Sequence, residues 1–228
     1  MTALRRDLRL IADMVAPGSR VLDIGCADGA LLAYLAAEKN VDGRGMELSQ
    51  AGVNACVRSG LSVIQGDADN DLPTYPAGAF DYAILSQTLQ ATRQPRQVLE
   101  SLTRIARHAI VSVPNFGYWR VRLGLLATGR MPHSSLLAHS WYDTPNIHLC
   151  TIRDFLGLAA DLGLVVEQAQ MLDRDGQPWR VRADGSAANW LAEQGVFLLR
   201  RAGRQGREGE GGAAASVDGI ANAGFAKR

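Results

Sequence analysis

The sequence predicts an α/β domain with a mostly parallel β-sheet and helices on both faces. Three observations predict it. Short apolar runs alternate with segments of helical periodicity along most of the chain. The first run leaves through a glycine-containing loop, Gly25–Gly29, as ligand-binding sheets of this class do. The last two apolar runs follow one another without a full crossover helix, which calls for an antiparallel strand at that edge.

Leu4, Leu8, Ile11 and Val15 recur at helical spacing with Arg5, Arg6, Arg9 and Asp13 between them, and Pro17-Gly18 ends this helix. Val21, Leu22 and Ile24 make Arg20–Gly25 a short buried strand. Ala30–Glu38 has helix-forming composition. Gly43–Leu48 is a second strand, Ser49 caps a helix running to about Ser59, and Leu61–Gln65 is a third strand. Phe80–Ser86 is the clearest strand in the chain. Pro95 stands in the first turn of a helix whose face is Val98, Leu102 and Ile105, and Ala109–Val113 is the fifth strand. Thr151 with Asp154 forms a capping-box pattern ahead of Ile152, Phe155, Leu156 and Ala159, and Gly163 ends that helix. Leu164–Leu172 and Val196–Arg200 close the sheet, for seven strands in all. Between them Asp173–Gln194 is rich in turns and then briefly helical around Trp190.

The 228 residues suffice for one sizeable α/β core and are too few for two comfortable ones. With 47% apolar and 21% charged residues and a formal charge of +1, the bulk composition favours neither nucleic acid nor membrane. No apolar run of about 18 residues occurs, so no membrane span is expected. The first residues carry charges and no apolar block, so no signal peptide is expected. Three widely spaced cysteines, Cys26, Cys56 and Cys150, fit reduced thiols in the cytoplasm rather than disulfides or a zinc site. The expected domain is residues 1–202. From Gly203 the chain is rich in Gly and Ala with scattered charge, and 203–228 is expected to be a disordered tail.

The chemistry concentrates in Val21-Leu22-Asp23-Ile24-Gly25-Cys26-Ala27-Asp28-Gly29. Gly25 and Gly29 let the backbone turn sharply and approach a ligand. Their spacing is not GxGxxG, so the dinucleotide fingerprint is absent. Asp23 and Asp28 would repel a pyrophosphate but suit a cationic ligand, such as one with sulfonium and ammonium groups. Glu47, at the end of the second strand, can accept both hydroxyls of a ribose. Asp67, after the third strand, can accept from an adenine amino group. For each acid a helix cap or a solvated turn is the plain alternative. Three acids at successive strand ends tip the balance toward a nucleoside site.

The motifs VLDIGCADG, GMELS, QGDAD and FDYAILSQTLQ resemble those of class I (Rossmann-like) S-adenosylmethionine-dependent methyltransferases. SQTLQATRQP, SVPNFGYWRVRLGLLATGRMP, HSWYDTPNIHLCTIRDF and AEQGVFLLRR extend the resemblance to the MetW family of methionine-biosynthesis proteins, over about residues 1–201. Ala27 departs from the glycine of many family members. The resemblance implies a site for S-adenosylmethionine (or S-adenosylhomocysteine) made by Asp23, Gly25, Cys26, Ala27, Gly29, Glu47, Leu48, Asp67, Ala68 and Ser86. In it Glu47 holds the ribose, Asp67 lies by the adenine and Ser86 faces the methionine part. Cys26 reads as a packing residue rather than a nucleophile, since no basic partner is near it in sequence.

Ser86-Gln87-Thr88 offers no histidine, tyrosine or acid at the usual catalytic place, so no catalytic residue is assigned. The insertion 114–150 breaks the periodic pattern and gathers Trp119, Arg120, Arg122, Arg130, His133, Trp141, Tyr142 and His148. It reads either as a partner or substrate surface or as a packed insertion with solvated arginines. The spacing of His139, Asp143 and His148 is no known metal pattern. The resemblance implies an accessory or activating partner of a homoserine O-acyltransferase in methionine biosynthesis. The alternative is a methyltransferase acting on a small acceptor.

Overall fold

The computed structural model describes residues 4–132, 139–179 and 186–203. The tail expected beyond Gly203 and the residue His133 lie outside these. Helix α1 (Arg6–Met14) precedes β1 (Arg20–Ile24), and α2 (Ala30–Lys39) leads to β2 (Asp42–Glu47). Then follow α3 (Gln50–Arg58), β3 (Ser62–Gln65), the one-turn α4 (Ala68–Asp71), β4 (Phe80–Ser86), α5 (Pro95–Ile105) and β5 (Ala106–Pro114). The remainder is α6 (Trp119–Thr128), α7 (Ile152–Asp161), β6 (Leu164–Leu172), β7 (Pro178–Trp179), α8 (Ser186–Leu191) and β8 (Gln194–Arg201).

These strands form one sheet in the order β3-β2-β1-β4-β5-β8-β6-β7. The first five are parallel, and β8 lies antiparallel between β5 and β6. The architecture is the expected Rossmann-like one of seven main strands, with the two-residue β7 added at the edge. The antiparallel strand sits inside the sheet rather than at its outer margin.

Strand alternation divides the core into two layers. Val21 and Ile84 face α1 and α2, where Ile11, Val15, Leu31 and Leu35 are buried. Leu22, Ile24, Met46 and Leu85 face the opposite way, onto Val98, Leu99, Leu102 and Ile105 of α5 and Phe155 of α7. Each fully buried side chain of this kind stabilises the fold by about 1.5–3 kcal/mol. The expected capping box is present: Thr151 accepts from the Asp154 amide, and Asp154 accepts from the Thr151 amide.

Two elements differ from the sequence expectation. β5 begins three residues early, at Ala106, directly after α5. Its polar start carries no apolar signal, and pairing of Ala106 with Phe80 and of His108 with Tyr82 makes it a strand. Within the irregular insertion, Trp119–Thr128 is helical. Its apolar residues point all round the axis, and of the ten only Val121 is buried. A helix without an apolar stripe leaves no period to read.

Candidate functional site: an acidic crevice at the strand ends

The chain runs outward from β1 to β3 and then returns to β4 on the other side of β1. That reversal parts the connections beyond the carboxyl ends of β1 and β4 and opens a crevice. It encloses about 300 Å³. Ile24, Gly25, Glu47, Leu48, Asp67 and Ala68 line it, together with Gln87, Thr88, Pro145 and Asn146.

The loop after β1 is held by main-chain bonds. The Gly25 amide donates to the Met46 carbonyl at 2.8 Å, and the Gly29 amide to the Cys26 carbonyl at 2.8 Å. Gly25 has φ +72°, and a Cβ there would stand 2.6 Å from Thr88 Oγ1. The glycine is therefore required twice over, by its backbone conformation and by the close approach of the residue after β4. Cys26 is buried with its Sγ 3.8 Å from that of Cys56. Burial, then the nearby Asp23 carboxylate, pushes its thiol well above the ordinary range. It packs the loop, and burial disfavours the thiolate that a nucleophile needs.

Each acid has a distinct place. Glu47 Oε2 accepts the Ala27 amide at 2.9 Å and Oε1 the Ser49 amide at 2.8 Å. The carboxylate thus clamps the glycine loop and the start of α3. Two of its roughly four lone-pair positions remain for a ligand's hydroxyls. Asp67 caps α4: Oδ1 accepts the Asp69 amide at 3.0 Å and Oδ2 the Asn70 side chain at 2.8 Å. Its cap role is real, and it lines the crevice as well. Asp23 is 3% exposed and accepts no side-chain hydrogen bond from any described residue. Burial, with a smaller contribution from Glu47, raises its carboxyl to about 7.

Ser86 ends β4 beside β5. Its Oγ lies 3.3 Å from Ser112 Oγ, and Gln87 and Thr88 take the crevice wall. Gln87 holds a left-handed φ of +50°, with its amide donating to Ser112 Oγ at 3.0 Å. Its side-chain Nε2 donates to Asp7 at 3.2 Å across 80 positions. Asp7, buried in the first turn of α1 and paired with Arg5 at 2.8 Å, brings an acid next to the residues after β4. Sequence reasoning missed it because an acid early in an amphipathic helix looks like ordinary N-terminal charge.

The insertion residues divide into two groups. Arg122 Nε donates to the Gly117 carbonyl at 2.5 Å, and its guanidinium lies 4.9 Å from the Trp190 ring. Trp119 packs edge-on against Tyr118, with Arg120 5.1 Å above its ring. These form the root of the insertion. Trp141 and Tyr142 are 74% and 76% exposed, and Arg130 is exposed at the end of α6. The His148 amide donates to the Gln90 carbonyl at 2.9 Å, beside a matching 3.0 Å bond from Ile147, which lays Pro145 and Asn146 over the crevice.

A second hollow of about 540 Å³ lies toward the amino ends of β1–β3, lined by Arg20, Asp42, Arg44, Tyr75 and Phe80. Arg20 is committed to Asp81 by two hydrogen bonds. The hollow lacks the strand-end acids that line the smaller crevice.

Strand order and crevice together define a class I methyltransferase fold. The chain belongs to the family described as methionine biosynthesis protein MetW, which matches residues 5–199. It is 33% identical over 210 residues to the bifunctional methionine biosynthesis protein MetXA/MetW of Rhodopirellula baltica, covering 88% of this chain and 33% of that relative. The chain therefore spans about a third of the length of this curated relative. Among solved structures it is similar to an S-adenosylmethionine dependent methyltransferase from Mesorhizobium loti, with TM-score 0.63, 17% identity, and coverage of 86% of this chain and 98% of that one. It is also similar to a chain of the complex between the Haloferax volcanii Trm112 methyltransferase activator and the putative methyltransferase, with TM-score 0.62, 16% identity and coverage of 86% and 88%. At these identities the solved structures speak for the fold alone. Among the described residues no helix is long and apolar enough to cross a membrane.

Proposed function

We propose that this methyltransferase-like protein of methionine biosynthesis binds S-adenosylmethionine in the acidic crevice and serves as the accessory partner of a homoserine O-acyltransferase. The observation that carries the ligand half is Glu47: it borders the crevice with two carboxylate oxygens fixed by backbone amides and lone pairs left over. Gly25 and Thr88 form the opposite wall, and Asp23 supplies a buried acceptor behind the loop. The partner half is supported by the bifunctional relative, whose name joins MetXA to MetW in one protein and two thirds of whose length lies outside this chain. We assign the ligand to residues 1–202 and the complex to the cytoplasm.

The test combines calorimetry with S-adenosylmethionine and co-purification with the acyltransferase. Saturable binding of both supports the proposal. Ligand binding without any partner would remove its second half.

Methyl transfer to a small acceptor is the other reading, and Asp7 is the observation that favours it. An acid one hydrogen bond from a crevice-lining residue could accept an acceptor's proton. Release of S-adenosylhomocysteine with a small-molecule extract, abolished in Asp7→Asn, would establish it.

A further inference from the structure

The described residues lining the crevice include Glu47, Asp67 and Asp69 but no lysine, arginine or histidine. A fourth carboxylate, Asp23, lies directly before the lining residues Ile24 and Gly25, buried and without a hydrogen-bond donor among the described residues. Two neutral groups of the lining also offer acceptors. Gln87 gives one Nε2 proton to Asp7, and its Oε1 accepts from no described residue. Thr88 spends its hydroxyl proton on the Ser86 carbonyl at 2.9 Å, which leaves oxygen lone pairs. The nearby cation of α1, Arg5, is spent on Asp7. Charged acceptors thus line the crevice, and no charged donor stands among its described lining residues.

From this we infer that the crevice selects its ligand by positive charge, holding the sulfonium S-adenosylmethionine more tightly than the neutral thioether S-adenosylhomocysteine. The inference rests on the crevice being the nucleoside site proposed above. The two ligands share the adenine, ribose, ammonium and carboxylate groups. They differ by one methyl group and one positive charge at sulfur. At about 7 Å a single carboxylate changes the affinity of a cation about threefold even at the dielectric of water, and more in a partly buried crevice. Several carboxylates acting on the same cation compound that factor. Occupancy would then follow the supply of methyl donor rather than the product left after its use. That property suits a protein coupled to methionine synthesis and keeps the demethylated form from holding the site.

The experiment is isothermal titration of the full chain at pH 8 with S-adenosylmethionine, S-adenosylhomocysteine and sinefungin, which has carbon for sulfur and a protonated amine where the methyl group stands. The expected result is at least fivefold tighter binding of the two cationic ligands. The gap should narrow in 0.5 M salt and in Asp23→Asn, which removes a charge without removing a hydrogen bond. Equal or tighter binding of S-adenosylhomocysteine overturns the inference and leaves the ligand proposal standing. Grouping of sinefungin with S-adenosylhomocysteine overturns it as well, because a positive charge at that place would then bring no gain in affinity. Failure of all three to bind overturns both. Should Asp23→Asn fold poorly, the wild-type ratio and its salt dependence decide alone.

Discussion

Glu47 fixes Ala27 in a left-handed backbone conformation: its Oε2 accepts the Ala27 amide at 2.9 Å while Ala27 holds φ +51°. The residue assigned to the ribose is therefore also the clamp that shapes the loop. Glu47→Ala should weaken S-adenosylmethionine binding by about 1.5–3 kcal/mol, the range for losing hydrogen bonds to a charged group. It should also lower the melting temperature without ligand, since the Ala27 and Ser49 amides lose their acceptor. Calorimetry and thermal denaturation separate the two effects. Lower stability with unchanged affinity would leave Glu47 as a clamp only.

Ala27 itself occupies a conformation that suits glycine. A left-handed backbone costs an L-residue about 1–2 kcal/mol, against a smaller entropic cost of glycine in the unfolded chain. Ala27→Gly should therefore stabilise the fold by about 0.5–1 kcal/mol, read as a higher denaturant midpoint at unchanged slope. The reverse change two residues earlier, Gly25→Ala, should destabilise, because its Cβ would meet Thr88 Oγ1 at 2.6 Å. A destabilised Ala27→Gly would mean that the alanine methyl makes packing contacts that outweigh the strain.

The parallel half of the sheet was legible because its strands are short apolar runs and its helices have one apolar face. Phe80–Ser86 and the Val98, Leu102, Ile105 face of α5 stand as expected. The positions of the strand-end acids were legible, with Glu47 and Asp67 lining one crevice and Asp23 buried just before its lining residues Ile24 and Gly25. What each carboxylate does was not. Whether Asp67 caps a helix or faces a ligand depends on three residues downstream, and it does the first while bordering the second. Asp7, Gln87 and Asn146 were missed because long-range approach brings them to the site, and single-chain periodicity carries no such information. Asn115, near the start of the insertion 114–150, is buried. Its side chain donates to the Asn189 and Ala192 carbonyls and accepts from the Gly117 amide, tying β5 to α8.

Asp23 gives the fold a pH dependence of its own. Its carboxyl rises from 3.8 to about 7 through burial and, less, through Glu47; the buried thiols Cys26 and Cys56 are the other titratable groups near it. Between those two values the folded protein binds more protons at this site than the unfolded chain does. Stability therefore falls as pH rises across that window, and the cost is fully present above it. Asp23→Asn should raise the melting temperature at pH 8 and change it little at pH 4. The wild-type ligand should also bind more tightly as pH rises from 6 to 8, because a cation favours the ionised acid. A pH-independent difference between variant and wild type would show that Asp23 is not the titrating group.

The outer face of the insertion provides the sharpest test of the proposed partner. Trp141 and Tyr142 meet edge to face at 5.6 Å and are largely exposed, as hot-spot residues of an uncovered interface would be. Arg122 is a structural residue, bonded to the Gly117 carbonyl and stacked on Trp190. The double change Trp141→Ala with Tyr142→Ala should therefore leave the melting temperature within a degree or two and S-adenosylmethionine affinity within a few-fold, while abolishing co-purification with the acyltransferase. Arg122→Ala should act in the opposite sense. It should cost about 1–2 kcal/mol of stability through the lost hydrogen bond and cation–π contact, and weaken the partner only as far as the insertion loosens. Because Pro145 and Asn146 line the crevice a few residues along the chain from the exposed pair, ligand should change partner affinity in the wild type, and partner should change ligand affinity by the same factor. If the Trp141/Tyr142 variant still captures the acyltransferase at wild-type strength, the partner docks elsewhere. If it instead loses turnover of a small acceptor, these aromatics belong to a substrate site.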